Sequence, residues 1–136
     1  FIFQNYNLIS NLTIYDNIVL PIELDGRSVD RQYLDKIVSV LGLEGKLERK
    51  PNKLSGGQQQ RAAIARALIT KPALILADEP TGNLDSRTSQ EVVGLLQATG
   101  KKFHQTIVMI THNDEIAQIA DRTIRMEDGR IAKGGW

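Results

Sequence analysis

The first residues after position 12 carry apolar side chains at helical spacing, broken by turn-forming residues. Thr13 is a good helix N-cap, and Asp16 follows at the third helical position, so a short helix is expected from here. Pro21 is expected to limit or bend that helix, because proline has no backbone N–H to donate. Asp25-Gly26 then predicts a turn.

A second helix is predicted from near Asp30 to Gly42. Its apolar residues recur every three or four positions and form one stripe: Leu34, Ile37, Val38 and Leu41. The charged stretch 43–52 is typical of a loop. A third helix is expected after the capping residue Ser55, and Lys71-Pro72 should end it. Its predicted buried face is Ile64, Ala65, Leu68 and Ile69.

After Pro72 the pattern changes to apolar strands that alternate with helices. The runs 73–77 and 106–110 are typical of strands buried on both faces of a parallel sheet. Helices are expected near 86–97 and 114–120. A hairpin should close the chain at a sheet edge, with strands at 123–126 and 130–132 around an Asp128-Gly129 turn. The pattern therefore predicts an α/β fold in which a helical lobe precedes part of a parallel sheet, with the boundary near Pro72.

The start of the chain suggests a longer parent protein, whereas its last residues leave two explanations open. The chain opens on Phe1, and residues 1–4 read as the tail of a strand with no preceding turn, so a cut chain is expected. The last residues, 133–136, are expected to be flexible, and either a natural end or a cloning scar would explain them.

Composition narrows the class of protein. The 136 residues are 41% hydrophobic and 24% charged, which fits one globular domain. The net charge of +1, with acids and bases interspersed, predicts no nucleic-acid partner. Zero cysteines exclude disulfides and thiolate metal sites. No apolar run reaches the roughly 18 residues that a membrane-spanning helix needs.

The string Leu54-Ser55-Gly56-Gly57-Gln58 is the first candidate for chemistry. Two glycines after a capping serine leave backbone N–H groups uncovered at a helix N-terminus, which suits a phosphate group. An ordinary loop-to-helix start would have the same composition, so this string alone leaves both readings open.

Asp78 and Glu79 follow the first apolar strand, where α/β sheets bind ligands. Asp78 is predicted to orient Mg²⁺, and Glu79 to act as a base toward an attacking water. The alternative is an acid pair that caps the next turn. His112 ends the next strand, so it should face the same cleft as Glu79 and contact a terminal phosphate. His104, in a polar loop, is expected to be a surface residue.

Together these strings resemble the ATP-binding domain of ABC transporters, with five motifs in that family's order. The resemblance identifies Gln4 as the Q-loop glutamine, residues 54–58 as the signature motif, and 75–78 as Walker B. It identifies Glu79 as the catalytic glutamate, 82–85 as the D-loop, and His112 as the switch histidine. The nucleotide-binding residues that it implies are Ser55, Gly56, Gly57, Gln58, Gln4 and Asp85, and the metal ligands are Asp78 and Gln4.

The resemblance implies ATP and Mg²⁺ as cofactors and a partial P-loop NTPase fold, RecA-like, with an inserted helical lobe. Residues 1–4 would be the end of a core strand and the Q-loop, 5–71 the helical lobe, and 72–136 the C-terminal part of the ATPase core. The family pairs two ATP-binding subunits head to tail at the cytoplasmic face of the cell membrane. A transmembrane permease would contact the Q-loop and the helical lobe.

Three stretches resemble one branch of the family in particular, the branch of macrolide and peptide exporters, lipoprotein release and a cell-division relative. They are Phe3 to Leu8, Leu20-Pro21, and Ala77 to Asp85. Two positions depart from the family's usual pattern. Ala62 stands where a larger aliphatic residue is common and should loosen packing slightly. Asn113 stands where an acid is frequent.

The family's phosphate-gripping loop, which ends in Gly-Lys-Ser/Thr, has no match in these residues, nor does its adenine-stacking aromatic residue. Alone, the chain is therefore expected to be inactive and poorly stable, and to hold the half-site that it lends to a partner. Two alternatives remain open. One is an ABC ATPase of the cell-division or DNA-repair type, although no heptad run supports a long coiled coil. The other is a non-catalytic, truncated pairing module.

Overall fold

The computed structural model describes residues 1–132, so the expectations for residues 133–136 lie outside the described range. The helices in this range are α1 Ile14–Leu24, α2 Arg31–Val40, α3 Gly56–Leu68, α4 Ser86–Lys102 and α5 Asp114–Ala117, with a 3₁₀ turn at Pro51–Lys53. The strands are β1 Leu74–Asp78, β2 Thr106–Ile110, β3 Met126–Glu127 and β4 Arg130–Ile131. Helices come first along the chain, and strands alternate with helices afterwards. This order confirms the predicted α/β fold.

Helices α1 and α2 begin at the predicted caps. Thr13 Oγ1 accepts a hydrogen bond from Asp16 N at 3.1 Å, and Asp30 Oδ1 accepts one from Tyr33 N at 3.1 Å. Pro21 does not end α1, which continues to Leu24. Pro21 costs α1 one backbone hydrogen bond without ending the helix there, so of the two predicted effects the limit at Pro21 was wrong and the bend stays a prediction.

Gly42 ends α2 as predicted. Its φ of +64° is a left-handed conformation that glycine adopts without a Cβ clash. The N–H of Gly42 donates to Ser39 O, and the N–H of Leu43 donates to Val38 O at 3.0 Å. This pair of bonds is a Schellman motif, and the buried Leu43 side chain adds its apolar contact.

Strands β1 and β2 pair in parallel, with Leu76 opposite Val108 and Ala77 opposite Met109. Ile2 bridges Ala77 from the other side, also in parallel, so β1 lies between two neighbours. The prediction that both faces of these strands are buried was wrong. Side chains along β1 alternate between exposed and buried, and those along β2 alternate between exposed and half-buried, because the helices of the described range cover only one face.

Three other elements differ from expectation. Helix α4 runs five residues past the predicted end at Gln97, to Lys102. Within this extension Gly100 lies against β2, where a Cβ would come 3.1 Å from Ile107 Cδ1. Helix α5 is a single short turn that ends at Ala117. The predicted C-terminal hairpin forms, but β3 and β4 pair only with each other and do not extend the β1–β2 sheet.

A single hydrophobic cluster joins the helices to the inner face of the sheet. It contains Ile18, Leu34, Ile64, Ile75 and Leu96, contributed by α1, α2, α3, β1 and α4 respectively. Helix α3 is buried on most of its circumference and packs against α1 and α4. It therefore connects the helical part of the chain with the sheet. None of the described helices combines the length and hydropathy needed to span a membrane.

Candidate functional site

The ends of β1 and β2 bring two candidate catalytic side chains together. Glu79 Oε1 lies 2.9 Å from His112 Nε2. The two residues therefore lie together at one edge of the sheet, where the sequence predicts them. The Glu79 side chain is 22% exposed, whereas that of His112 is 92% exposed. The carboxylate is therefore held in the wall of the site, and the imidazole projects into solvent.

The backbone at Glu79 turns sharply. Its φ of +47° lies in the left-handed region, which is costly for a residue with a Cβ. The turn is held at both sides, because Glu79 N donates to Ile110 O at 2.9 Å and Gly82 N donates to Glu79 O at 3.0 Å. These bonds aim the Glu79 side chain away from the strand direction and toward His112.

Glu79 Oε1 is buried and accepts no hydrogen bond from the part of the chain that the structure describes. His112 Nε2, at 2.9 Å, is close enough for an ion pair when the imidazole is protonated. A buried carboxylate oxygen without a donor is costly. This oxygen is therefore suited to accept a proton or a hydrogen bond from a group that enters the site.

Asp78 ends β1 beside this pair. Its backbone N–H donates to Ile2 O at 2.9 Å, and it stands opposite Ile110 in the β1–β2 register. The residue is exposed, so its carboxylate is accessible to an ion at the carboxyl edge of the sheet. The structure thus places Asp78, Glu79 and His112 at one edge, as the sequence predicts.

Helix α3 begins with a complete capping box. Ser55 Oγ accepts from Gln58 N at 3.2 Å, and Gln58 Oε1 accepts from Ser55 N at 3.0 Å. The N–H groups of Gly56 and Gly57 donate to no residue within the range 1–132. These two N–H groups lie at the positive end of the helix dipole, Gly56 half-buried and Gly57 buried, and an anion is the acceptor that this position favours.

The signature glycines also have a packing reason that sequence reasoning missed. A Cβ on Gly57 would lie 2.5 Å from Thr88 Cγ2, and a Cβ on Gly56 would lie 2.9 Å from the hydroxyl oxygen of Tyr6. Both distances are too short for a carbon atom. An alanine at either position would therefore force Tyr6 or Thr88 to shift, which favours glycine where α3 approaches α4 and the loop after Gln4.

Gln4 is held against the loop that follows Glu79. Its Nε2 donates to Asn83 Oδ1 at 3.2 Å, and Asn83 Nδ2 donates to Asn5 Oδ1 at 2.8 Å. A Cβ on Gly82 would overlap the Gln4 side chain, at 2.5 Å from Nε2. Gln4 is exposed, and its Oε1 accepts no hydrogen bond from residues 1–132, so this oxygen is free to bind a cation.

Asp85 and Asn113 each cap the start of a helix. Asp85 Oδ1 accepts from Thr88 N at 2.7 Å and caps α4. That backbone N–H holds the pKa of Asp85 below its ordinary value of 3.8. Asn113 Oδ1 accepts from the N–H groups of Glu115 and Ile116 and caps α5, which accounts for an amide beside His112. His104 is exposed in a left-handed turn, as expected of a surface residue.

Two residues of α3 hold backbone carbonyls next to Gln4 and Glu79 and were missed from the sequence. Arg66 donates to Tyr6 O and to Asn7 O, each at 2.7 Å, and these two loop residues both have positive φ. Gln60 donates through Nε2 to Phe3 O and to Pro80 O. The signal was weak, because the partners are backbone carbonyls up to 60 residues away in sequence.

The oxygen atoms at this edge fit a magnesium ion that is shared with a phosphate. Mg²⁺ in such sites takes one or two protein ligands and keeps several waters. The carboxylate of Asp78 and the free Oε1 of Gln4 are hard oxygen donors of that kind. Within the described residues no group of three or more His, Cys, Asp and Glu side chains forms a metal cage. The donor set is thus too small for an ion held by protein alone.

Comparison with known proteins agrees with this arrangement. A family model described as ABC transporter matches residues 1–82. The chain is 47% identical over 137 residues to the ABC transporter ATP-binding protein YtrE of Bacillus subtilis (strain 168), an alignment covering 99% of this chain and 59% of that protein. It is 47% identical to the macrolide export ATP-binding/permease protein MacB of Rhodopirellula baltica, covering 98% of this chain and 20% of that protein.

Among solved structures, the chain is similar to MJ0796, described as a bacterial ABC transporter cassette in a dimeric structure. The TM-score is 0.79 at 39% identity, over 97% of this chain and 60% of that one. A second structure of MJ0796, in a post-hydrolysis dimer bound to ADP and Pi, gives a TM-score of 0.78. The chain thus spans between 20% and 59% of the length of the two curated relatives named above.

Proposed function

The chain belongs to the ABC transporter family, and from that premise we propose that the protein binds and hydrolyses Mg-ATP as the ATP-binding subunit of a transporter. The observation that carries the proposal is the contact between Glu79 Oε1 and His112 Nε2 at the carboxyl ends of two adjacent parallel strands. This is the edge at which α/β sheets bind ligands.

In the proposed reaction Glu79 is the base toward the attacking water. Its buried Oε1 without a donor supports this role, because a water that donates to this oxygen is oriented and partly deprotonated by it. His112 contacts the terminal phosphate from the exposed side of the site. Asp78 and Gln4 would hold Mg²⁺, which when bound would supply positive charge next to the phosphate oxygens.

We propose that two copies of the subunit pair head to tail. Ser55 to Gln58 then contact the nucleotide of the partner copy, through the free N–H groups of Gly56 and Gly57. Asp85, which precedes α4, would lie near the same junction. The dimeric structures described for MJ0796 support the pairing by analogy.

The proposed membrane partner is a transmembrane permease that contacts the loop after Gln4 and the helical lobe of residues 5–71. The subunit would then lie at the cytoplasmic face of the membrane, with residues 72–136 as the C-terminal part of its ATPase core. Names such as the macrolide exporter MacB favour an export or mechanical role over DNA repair. We expect the permease to select the transported substrate, since these residues contain no transport path.

For residues 1–136 expressed alone, we propose negligible ATPase activity and weak ATP affinity. The sequence has no Gly-Lys-Ser/Thr loop, and the free N–H groups of Gly56 and Gly57 belong to the half-site offered to a partner. Titration of ATP into the 136-residue chain by calorimetry tests this. Tight binding would overturn it.

The role of Glu79 is tested in the intact protein by Glu79→Gln, which keeps the shape of the side chain and removes its basicity. Steady-state phosphate release should fall about 100-fold or more, since a positioned general base contributes about 10²- to 10⁴-fold. ATP binding should be retained. Glu44→Gln, at an exposed carboxylate outside the site, is the matched control and should leave turnover unchanged. Normal turnover by Glu79→Gln would refute the assignment.

A further inference from the structure

Gln60 is a completely buried amide in the second turn of α3. Its exposed fraction is 0%, and both of its hydrogen bonds go to backbone carbonyls. Nε2 donates to Phe3 O at 3.1 Å and also to Pro80 O. Only the nitrogen of the amide can serve two carbonyls, so the hydrogen bonds fix the orientation of the side chain.

These two carbonyls flank the two sides of the candidate site. Phe3 directly precedes Gln4, the proposed ligand of Mg²⁺, and Pro80 directly follows Glu79, the proposed base. A single nitrogen atom thus joins the backbone on both sides of the reaction centre. The side chain that carries it lies two residues after Gln58 on the helix that offers its N-terminus to a partner's nucleotide.

The strand pairing between these segments stops short of the site. The last backbone bonds that join them are Ile2 N to Leu76 O and Asp78 N to Ile2 O. In the described range, no backbone hydrogen bond connects residues 3–7 with residues 79–82. Beyond Ile2, side-chain hydrogen bonds therefore set the separation between Gln4 and Glu79. Among the side chains that make these bonds, Gln60 is the completely buried one.

Gln60 Oε1 is also buried and accepts no hydrogen bond from residues 1–132. An apolar side chain of similar size would avoid that cost, which is of the order of 1–3 kcal/mol for an unpaired polar group. Such a side chain would, however, leave Pro80 O without the donor that it has in Gln60 Nε2. The two carbonyls that the nitrogen holds therefore explain the presence of glutamine at this position.

We infer that Gln60 is a positioning residue that sets the distance between the metal ligand Gln4 and the base Glu79 and ties both to the signature helix. The inference rests on the proposed ATPase function. Movement of α3, when its N-terminus engages a nucleotide, is passed through Gln60 to both carbonyls at once. The reacting groups in one half of the site thus respond to the occupancy of the other half.

The test is Gln60→Met in the intact protein, which keeps the length of the side chain and removes its donor. Asn17→Leu is the matched control, because Asn17 is a buried amide, 1% exposed, whose Nδ2 donates to the carbonyls of Ile9, Leu12 and Thr13. Both variants lose buried hydrogen bonds to backbone, but only Gln60 borders the candidate site. Measured quantities are the melting temperature, kcat, KM for ATP, and the Mg²⁺ concentration for half-maximal activity.

Both variants should melt at lower temperature. In Gln60→Met, kcat should fall about tenfold or more and the half-saturating Mg²⁺ concentration should rise several-fold, because small misplacements of reacting groups cost about this much. In Asn17→Leu, kcat and the half-saturating Mg²⁺ concentration should stay within about twofold of the unsubstituted protein, since the hydrogen bonds that this variant loses lie outside the site. Gln60→Leu, which likewise removes the donor, should reproduce the kinetic losses of Gln60→Met.

Unchanged kinetics in a folded Gln60→Met protein would overturn the inference, as would equal kinetic losses in Asn17→Leu. If neither Gln60 variant folds while Asn17→Leu does, Gln60 is a structural residue and the inference also fails. Absence of ATPase activity in the unsubstituted intact protein is a different result. That result would refute the proposed ATPase function itself.

Discussion

Asp85 combines a structural role with a position in the candidate site. Its carboxylate caps α4 by accepting a hydrogen bond from the backbone N–H of Thr88. This bond holds the pKa of Asp85 below its ordinary value of 3.8. A lowered pKa in the folded state means that folding favours the carboxylate. The resulting stabilisation is present above the ordinary pKa and is lost as the pH falls through the folded-state value. The cap therefore weakens only in acid.

We predict that Asp85→Asn melts at a slightly lower temperature than the unsubstituted protein at pH 7, because asparagine caps well but has no charge for the helix dipole. The difference should shrink as the pH falls below the ordinary pKa of 3.8 and through the lower folded-state pKa, where the native carboxylate becomes protonated. Asp85→Ala should melt at lower temperature throughout. Melting curves of the intact protein between neutral and acidic pH measure this. A difference that stays constant with pH would contradict it.

At the residue scale, the sequence predicts those site residues whose position follows from strand topology. Glu79 and His112 meet because the carboxyl ends of parallel strands share an edge, and that rule needs only the sequence. The contacts of Gln60 and Arg66 cannot be found in this way. Each donates to carbonyls, which every residue carries, so no side-chain type marks the partner.

At the scale of single elements, the glycines of the signature motif are required by packing as well as by N–H exposure. Gly57 is the second residue of α3, and a Cβ there would overlap Thr88 Cγ2 on α4 at 2.5 Å. Helix α3 can approach α4 this closely only because the glycine has no side chain. The glycine thereby aligns the N-terminus of α3 with the cap of α4.

We predict that Gly57→Ala lowers the free energy of unfolding by about 1 kcal/mol, because overpacking costs about 1–3 kcal/mol and alanine regains about 0.5–1 kcal/mol of helix propensity. Thr88→Ser removes only the overlapping methyl group. In that background Gly57→Ala should be neutral or stabilising. Denaturant unfolding of the four proteins of this double-mutant cycle measures the coupling. Equal destabilisation in both backgrounds would show that the contact with Thr88 is irrelevant.

Helix starts were predicted better than helix ends. Caps at Thr13, Asp30 and Ser55 all form, since a capping side chain acts within its own first turn. The end of α4 has no such local marker, since the helix runs past the predicted end at Gln97 to Lys102 and lies against β2 at Gly100. The starts of these helices can therefore be predicted from neighbouring residues, whereas the end of α4 cannot.

At the scale of the whole molecule, the α/β order was predictable but the burial of the sheet was not. Continuous apolar runs indicate strands covered on both faces. In residues 1–132, however, one face carries exposed apolar side chains, with exposures of 37–56%: Phe1, Phe3, Leu74, Leu76, Val108 and Ile110. The apolar runs thus predict a cover for this face that the described residues do not contain.

We predict that residues 1–136, expressed alone, self-associate and bind a hydrophobic dye through this face, since large exposed apolar patches drive association. The double variant Leu76→Lys and Val108→Glu should reduce both effects. These residues lie directly opposite each other in the β1–β2 register, so the introduced charges can pair across the strands. Sedimentation and dye fluorescence at matched protein concentrations measure the difference. A monomeric, dye-negative parent chain would show that this face is not available for association, and the expectation of poor stability would lose its physical basis.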